Sequence, residues 1–147
     1  SPRKIYIEQI DEIKKDILRM RYIMVIHSGV GASVYNRQLG DWNLDPDLLG
    51  GFLSAILSFS SEIKKRSIPM KRMEYKEFEI VMEQGDYTLA ALFIDGKESE
   101  WLRDKLKVYV SEFEKEYKEQ LKEWKGEVAS FRESGFLVDK AFELFRI

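Results

Sequence analysis

The sequence contains no cysteine and only one histidine, His27. The lack of cysteine excludes disulfides, thiolate catalysis and cysteine-based zinc or iron–sulfur sites. A single histidine also excludes metal sites that need several imidazole ligands. Neither sign of charge dominates, because 24 Lys and Arg residues are balanced by 26 Asp and Glu residues, for a net charge of −2. We therefore expect no nucleic-acid partner, since such a partner favours a strongly basic chain.

Long apolar runs are also missing, because no segment reaches the ~20 residues that are needed to cross a bilayer. The first residues are polar and charged, unlike those of a signal peptide, so we expect a cytoplasmic protein. A chain of 147 residues with 44% hydrophobic side chains has enough apolar surface for one core and too little length for two.

Residues 4–20 carry apolar side chains at intervals of three and four, which is the spacing of one helical face. The stripe consists of Ile10, Ile13, Ile17 and Met20, and charged residues occupy much of the remaining surface. The pattern predicts an N-terminal amphipathic helix over residues 1–20, followed by a domain over residues 21–147.

Two short apolar runs, at residues 22–26 and 89–94, are typical of strands that are buried on both faces of a sheet. Each run has a strand-like neighbour along the chain, at 32–39 and at 78–83, and a further strand is predicted over 70–75. The turn at 84–86 has Gly85 at its centre, as short hairpin loops prefer. The sequence therefore predicts the α+β class, with a five-stranded, mainly antiparallel sheet and helices on both faces.

Three further helices are predicted. Asp45, Pro46 and Asp47 signal a helix start, because aspartate caps free amides and proline suits the first helical position. This helix is predicted to run to about residue 63. A longer helix is predicted over about 98–125, where apolar residues from Leu102 to Trp124 step by three and four, and a short helix over 136–145 follows it.

Three short motifs resemble chemical sites, but each has a simpler structural interpretation. His27 and Ser28 are the residue types of a base and its nucleophile, yet neighbours on a strand point to opposite faces. The glycines at 29 and 31 lead into a strand, so they indicate a hairpin turn and not a phosphate loop. Asp41, Asp45 and Asp47 lack the calcium-loop spacing. We expect no cofactor, no metal and no catalysis, with a hydrolase that uses His27 and Ser28 as a rival interpretation.

Five cations crowd the end of the second predicted helix and the start of the following strand. They would suit a peripheral contact with anionic lipid or with an acidic partner. The simpler interpretation is a solvated helix end, where cations complement the negative end of the helix dipole. The residues are Lys64, Lys65, Arg66, Lys71 and Arg72.

Large apolar residues outside the predicted sheet are the candidates for partner binding. Trp42 lies in a loop, where it would either anchor an interface or cover the core. Leu121, Trp124 and Phe131 lie at the end of the long apolar stripe, which exceeds what a small sheet covers. They are predicted to pack on the chain's last helix or on a second subunit, which would make the protein a homodimer.

The order of elements, together with four segments between residues 22 and 131, resembles the longin-like (SNARE-like) family of small trafficking domains. The segments are YIMVIHSGVGASVYNRQ, LDPDLLGGFLSAILSFSSEI, FEIVMEQGDYTLAALFIDG and FEKEYKEQLKEWKGEVASF. The resemblance implies a longin/profilin-like sheet between helices and a non-enzymatic role as an adaptor, a tether or a platform for small GTPases. None of the segments carries a catalytic motif, so no residue role is transferred.

The N-terminal helix is closer to roadblock-type modules, which also begin with a helix and form homodimers on GTPases. We therefore expect a non-catalytic protein-interaction domain whose partner is a small GTPase, a trafficking-type complex or its own copy. The alternatives are a roadblock-like homodimeric platform and a domain that senses a small molecule, while the five cations leave a peripheral membrane contact open.

Overall fold

Helices and strands follow one another in the order that the sequence predicts. A computed structural model describes residues 2–42, 45, 47–55, 58 and 71–147. The strands are β1 (Met20–His27), β2 (Ser33–Gln38), β3 (Arg72–Tyr75), β4 (Phe78–Gln84) and β5 (Thr88–Asp95). The helices are α1 (Pro2–Arg19), α2 (helical residues 47–55), α3 (Glu100–Glu116), α4 (Lys118–Lys122) and α5 (Gly135–Ala141), with 3-10 turns at Ala129–Ser134 and Leu144–Arg146.

The five strands form one antiparallel sheet in the order β2-β1-β5-β4-β3. The first and last strands along the chain, β1 and β5, are neighbours at its centre, where Val25 pairs with Ala90. β2 continues the sheet on one side of this central pair, and β4 and β3 continue it on the other. The predicted α+β class and five-stranded antiparallel sheet are confirmed, and helices cover both faces.

Side chains of the two central strands alternate between the faces, as strand geometry requires. On β1, Ile23 and Val25 join the core on one face, while Met24 joins the core on the other. On β5, Leu92 and Phe93 divide in the same way. Because both faces are buried, each strand reads as a continuous apolar run in the sequence instead of an alternating one.

α3 covers the first face of the sheet. Its side chains Leu106, Tyr109 and Phe113 are fully buried in the core on that face. The hydroxyl of Ser99 caps the helix by accepting a hydrogen bond from the Leu102 amide at 3.1 Å. Burial of large apolar side chains stabilises the fold by ~1.5–3 kcal/mol each, so this packing is the main link between helix and sheet.

α2 covers the second face, where Phe52 is buried and its ring centroid lies 5.4 Å from that of Phe93. The predicted cap is confirmed, because the Asp45 carboxylate accepts a hydrogen bond from the Asp47 amide at 2.9 Å. The predicted end of this helix, near residue 63, lies outside the described residues.

The prediction of one helix over about 98–125 is wrong at its C-terminal end. α3 ends at Glu116, and Tyr117 has φ −115° and ψ 24° before α4 begins. The spacing of apolar residues does not reveal the break, because it continues on both sides of it. Tyr117 and Leu121 are both buried in the core that α3 covers. The bend keeps both side chains on the core while the backbone changes its conformation, and α4 then ends at Lys122.

The last helix is also shorter than predicted. α5 spans Gly135–Ala141 instead of 136–145. Glu143 follows with φ 54°, in the left-handed region that a non-glycine side chain rarely adopts. This residue separates α5 from the final 3-10 turn. The apolar pattern does not predict the helix end, because it carries no information about the backbone angles of Glu143.

The carboxylate of Glu114 fastens α3 to the hairpin between β4 and β5. It accepts hydrogen bonds from the backbone amides of Asp86, Tyr87 and Thr88 and from the Thr88 hydroxyl, each at 2.8 Å. Gly85 leaves room for it, because a Cβ at this position would lie 2.5 Å from both carboxylate oxygens. The sequence predicts this turn but not the helix residue that it binds.

Candidate functional site

The N-terminal half of α1 leaves large apolar side chains on the surface. Ile5, Tyr6 and Ile7 are 57%, 61% and 49% exposed. Nearer the end of the helix, Ile13 packs against the core and Ile17 is buried. The predicted N-terminal helix is therefore confirmed, but only its last turns bury apolar side chains against the rest of the chain.

Polar contacts fix the end of α1 to the loop between β5 and α3. The Asp16 carboxylate accepts hydrogen bonds from the Ser99 hydroxyl at 2.7 Å and from the Arg19 guanidinium at 2.9 Å. Arg19 also donates to the backbone oxygens of Asp95 and Lys97, at 2.8 and 2.7 Å. One end of the helix is therefore held by packing and hydrogen bonds, while its first turns present apolar side chains to solvent.

A groove of about 410 Å³ lies beside the C-terminal end of α1. An ion pair between Arg37 and Asp139, at 3.0 Å, borders it. Phe145 also lines the groove and is 74% exposed. No sequence pattern links the lining residues, because they come from separate elements that only the fold brings together. The remaining apolar lining consists of Ile17, Met20, Leu39, Leu144 and Ile147.

Trp42, predicted to be either an interface anchor or a cover for the core, is half-buried on the α2 face of the sheet. Its ring centroid lies 5.2 Å from that of Phe78 and 5.7 Å from that of Phe93. Aromatic pairs at such distances stabilise packing by ~0.5–1.5 kcal/mol each. Trp42 therefore packs on the core and stays partly exposed, and its contact with a partner remains a prediction.

Two of the three residues proposed at the end of the long stripe lie inside the core. Leu121 is 1% exposed and Phe131 is fully buried, with the Phe131 ring stacked on that of Phe113 at 5.8 Å. Both side chains pack in the core that α3 covers, whereas the predicted contact was with the last helix or with a second subunit. Because they do not reach the surface, neither offers a contact to a partner in this conformation.

The third residue, Trp124, is half-buried and stacks on His27 with the ring centroids 5.1 Å apart. Nδ1 of His27 accepts from the amides of Gly29 and Val30 at 3.1 and 3.3 Å, and Nε2 lies 2.8 Å from the carbonyl oxygen of Leu121. Both nitrogens therefore bond the backbone, and the hydrolase interpretation gains no support.

The described part of the predicted basic cluster lies beside carboxylates of the same chain. Lys71 Nζ lies 4.0 Å from Glu83. Arg72 lies 3.6 Å from Glu98 and 3.8 Å from Glu74. A contact of the cluster with lipid or with an acidic partner remains a prediction. The other three cations lie outside the described residues: Lys64, Lys65 and Arg66.

Arg103 is the centre of the charge network next to these cations. Its guanidinium bonds both carboxylate oxygens of Glu98 at 2.9 and 3.1 Å, and it bonds Glu83 at 3.1 Å. The hydrogen bond from Arg103 holds the pKa of Glu98 below its usual value, against the opposing effect of burial. Burial disfavours the charge of Arg103, but its carboxylate partners raise its pKa overall. The network joins the start of α3 to β4.

The acidic residues considered as metal ligands have other roles or remain separate. Asp45 caps α2 through the bond to the Asp47 amide. Within residues 2–42, 45, 47–55, 58 and 71–147, no group of three or more His, Asp or Glu side chains is placed to hold a metal ion. Over the same described ranges, none of the helices has both the length and the apolar character that crossing a membrane requires.

The sequence was compared with family models and with curated proteins. The chain matches no model of a known protein family, and no curated protein matches its sequence significantly. The likeness to longin-like and roadblock-like domains therefore rests on the segments and the order of elements of this chain alone.

Proposed function

We propose that the chain is a non-catalytic protein-interaction domain of the longin-like type, which binds or regulates a small GTPase or assembles a trafficking-type complex. The observation that carries this proposal is the apolar surface on the N-terminal half of α1. A helix that is anchored at one end and exposes Ile5, Tyr6 and Ile7 suits contact with another protein, because a partner that covered these side chains would remove apolar surface from water. The GTPase class rests on resemblance alone.

The sheet supports the choice of the longin-like type. Its order β2-β1-β5-β4-β3, with helices on both faces, agrees with the sheet between helices that the resemblance implies. In such a layered domain the outer surfaces are the parts available for binding. The proposed location is the cytoplasm, with a peripheral membrane contact as a further expectation where the five cations face anionic lipid.

Binding to purified small GTPases tests the proposal. The immobilised chain is exposed to a panel of GTPases, each loaded with GDP or with a non-hydrolysable GTP analogue. We expect nucleotide-dependent binding to at least one member. Ile7→Glu should weaken it at least tenfold, whereas Val108→Glu, the same kind of change at a residue of α3 that is 46% exposed, should not. Indifference to the nucleotide across the whole panel would count against the GTPase proposal.

A roadblock-like homodimeric platform is the second candidate, and the position of α1 ahead of β1 favours it. Light scattering at several protein concentrations measures the mass of the assembly directly. A dimer that Ile7→Glu dissociates would support the homodimer and place α1 in its interface. A monomer at all concentrations would exclude it and leave a different protein as the partner.

A further inference from the structure

A small pocket lies at the end of the sheet where β1 begins and β5 ends. It has a volume of about 240 Å³. Strand pairing assembles it, because Phe78 at the start of β4 pairs with Asp95 at the end of β5. Arg21 comes from β1, Glu77 precedes β4, and Trp42 comes from the loop after β2. The lining residues therefore come from separate parts of the sequence, near residues 21, 42, 77 and 95, and only the fold brings them together.

The inner part of the pocket is aromatic. Trp42, Phe78 and Phe93 line it, and the Trp42 ring meets the other two at centroid distances of 5.2 and 5.7 Å. Phe93 is fully buried and backs the other two rings, so the partly exposed Trp42 and Phe78 are the rings that a ligand can contact. The faces of aromatic rings carry partial negative charge and attract cations. Rings that are fixed by packing lose little freedom when a ligand binds.

The rim of the pocket is acidic. Glu77 and Asp95 contribute two carboxylates and Arg21 one guanidinium, which leaves one net negative charge in the lining. The Asp95 carboxylate is 60% exposed and lies 3.5 Å from Arg21, longer than the ~2.7–2.9 Å of a strong charge-assisted bond. Arg21 also donates to the backbone oxygen of Leu18 at 2.6 Å. Asp95 therefore keeps acceptor capacity for a second cation.

We propose that this pocket binds the cationic end of a lysine or arginine side chain. Aromatic walls and an acidic rim are the chemistry that recognises ammonium and guanidinium groups. The volume is smaller than the ~300 Å³ at which pockets for drug-sized ligands begin, so it suits a side-chain end. That this side chain belongs to a partner protein rests on the proposed function, whereas the preference for a cation does not.

Titration of the isolated chain with small probes tests the preference. The probes are N-acetyl-lysine methylamide and N-acetyl-arginine methylamide. The control is N-acetyl-norleucine methylamide, which has an unbranched side chain like that of lysine but carries no charge. The readout is the indole N–H signal of Trp42 in two-dimensional NMR, assigned by its loss in Trp42→Phe. We expect the cationic probes to shift this signal saturably in the millimolar range, and we expect the neutral probe to leave it unchanged.

Charge removal at the rim provides the second arm. Glu77→Gln should weaken binding of the lysine probe about threefold or more, because it removes one attracting charge. Glu116→Gln removes the same charge from an exposed residue near the other end of the sheet and should change the affinity little. Unchanged spectra elsewhere in the chain verify that both variants are folded.

Three outcomes would overturn the assignment. They are no shift of the Trp42 signal by either cationic probe, an equal shift by the neutral probe, and full retention of binding in Glu77→Gln combined with Asp95→Asn. These outcomes are independent of the GTPase experiment, since the probes need no protein partner. Failure of the pocket and failure of the proposed function are therefore distinguishable.

Discussion

Glu114 shows how much of the tertiary structure can depend on one side chain. Its carboxylate accepts four hydrogen bonds from the β4–β5 hairpin, each at 2.8 Å. A glutamine would offer one oxygen and would turn an amide toward the remaining donors. We expect Glu114→Gln to lower the free energy of unfolding by about 1–3 kcal/mol, since the bonds to a charged carboxylate become weaker bonds to a neutral amide and the Asp86 amide loses its acceptor. Urea denaturation measures this loss.

The exposed Glu116 on the same helix is the matched control, and Glu116→Gln should change the stability by less than about 0.5 kcal/mol. Gly85→Ala examines the same contact from the turn, because the added methyl group would lie 2.5 Å from the Glu114 carboxylate. If the turn and the carboxylate act as a unit, the double variant Gly85→Ala with Glu114→Gln loses less free energy of unfolding than the sum of the losses in the two single variants. Strict additivity would contradict this interpretation.

Glu98 gives the stability a dependence on pH. Its hydrogen bond from Arg103 holds the pKa of its carboxylate below the usual value in the folded state. The resulting stabilisation is complete above the pKa of glutamate in the unfolded chain, ~4.3, and it is lost as the pH falls through the lowered pKa. We expect Glu98→Gln to reduce the free energy of unfolding by about 1 kcal/mol near neutral pH and progressively less in acid.

Urea denaturation at a series of pH values, from neutral to about pH 3, measures the difference between Glu98→Gln and the unchanged chain. The control is Glu74→Gln, because the Glu74 carboxylate is 65% exposed and lies 3.8 Å from Arg72. Exposed pairs of this kind contribute ~0–1 kcal/mol. The role assigned to Glu98 would be refuted if the difference in free energy of unfolding between Glu98→Gln and the unchanged chain did not vary with pH.

Among the helices and strands, α1 combines an anchored end with an exposed end. One isoleucine at each end allows the two to be compared by mutation. Ile17 is 3% exposed, whereas Ile7 is 49% exposed. We expect Ile17→Ala to cost about 2–4 kcal/mol, because it removes buried methyl groups and leaves a cavity. Ile7→Ala should cost less than about 0.5 kcal/mol. Thermal and urea unfolding of the two variants provide the comparison.

If Ile7→Ala destabilised the isolated chain as much as Ile17→Ala, the first turns of α1 would have to pack on their own domain or on a second copy. Repeating the measurement at two protein concentrations separates these cases, since only association makes stability depend on concentration. The apolar stripe in the sequence predicts the helix but not this division, because periodicity identifies a face without saying what covers it.

The break between α3 and α4 gives the same lesson. Leu102 to Trp124 follow one helical period in the sequence, and nothing in that period marks Tyr117 as the point of change. The structure places Tyr117 and Phe131 in ring contact at 5.2 Å, so the residue at the break packs on a residue that lies beyond both helices. Local patterns cannot specify such a contact, because they do not contain the distant partner.

At the scale of the whole molecule, the central pair of strands should be the most stable part. β1 and β5 pair with each other and each has a second neighbour, whereas β2 and β3 are edge strands. Amides of buried, doubly paired strands open only in large unfolding events. We expect the slowest hydrogen exchange in Met20–His27 and Thr88–Asp95, with faster exchange in Arg72–Tyr75. Protection of β3 equal to that of β5 would mean that its edge is covered in solution.

The candidate sites show where sequence reasoning ends. Trp42 was identifiable as a large aromatic in a loop, and its partial exposure agrees with that description. Phe78, Phe93 and Asp95 gave no such signal, because as strand residues they are indistinguishable from ordinary sheet positions. Only the pairing of β4 with β5 brings Phe78 beside Asp95, so the pocket is a product of register.

Local patterns in the chain specify the class of fold, since two continuous apolar strands require a sheet covered on both faces. They also specify the cap of α2 and the existence of α1, because capping and helical period are local properties. Tertiary structure alone decided which side chains remain outside: Ile7 at the surface, and Leu121 and Phe131 in the core. The physical reason is that burial depends on contacts between residues far apart in the chain.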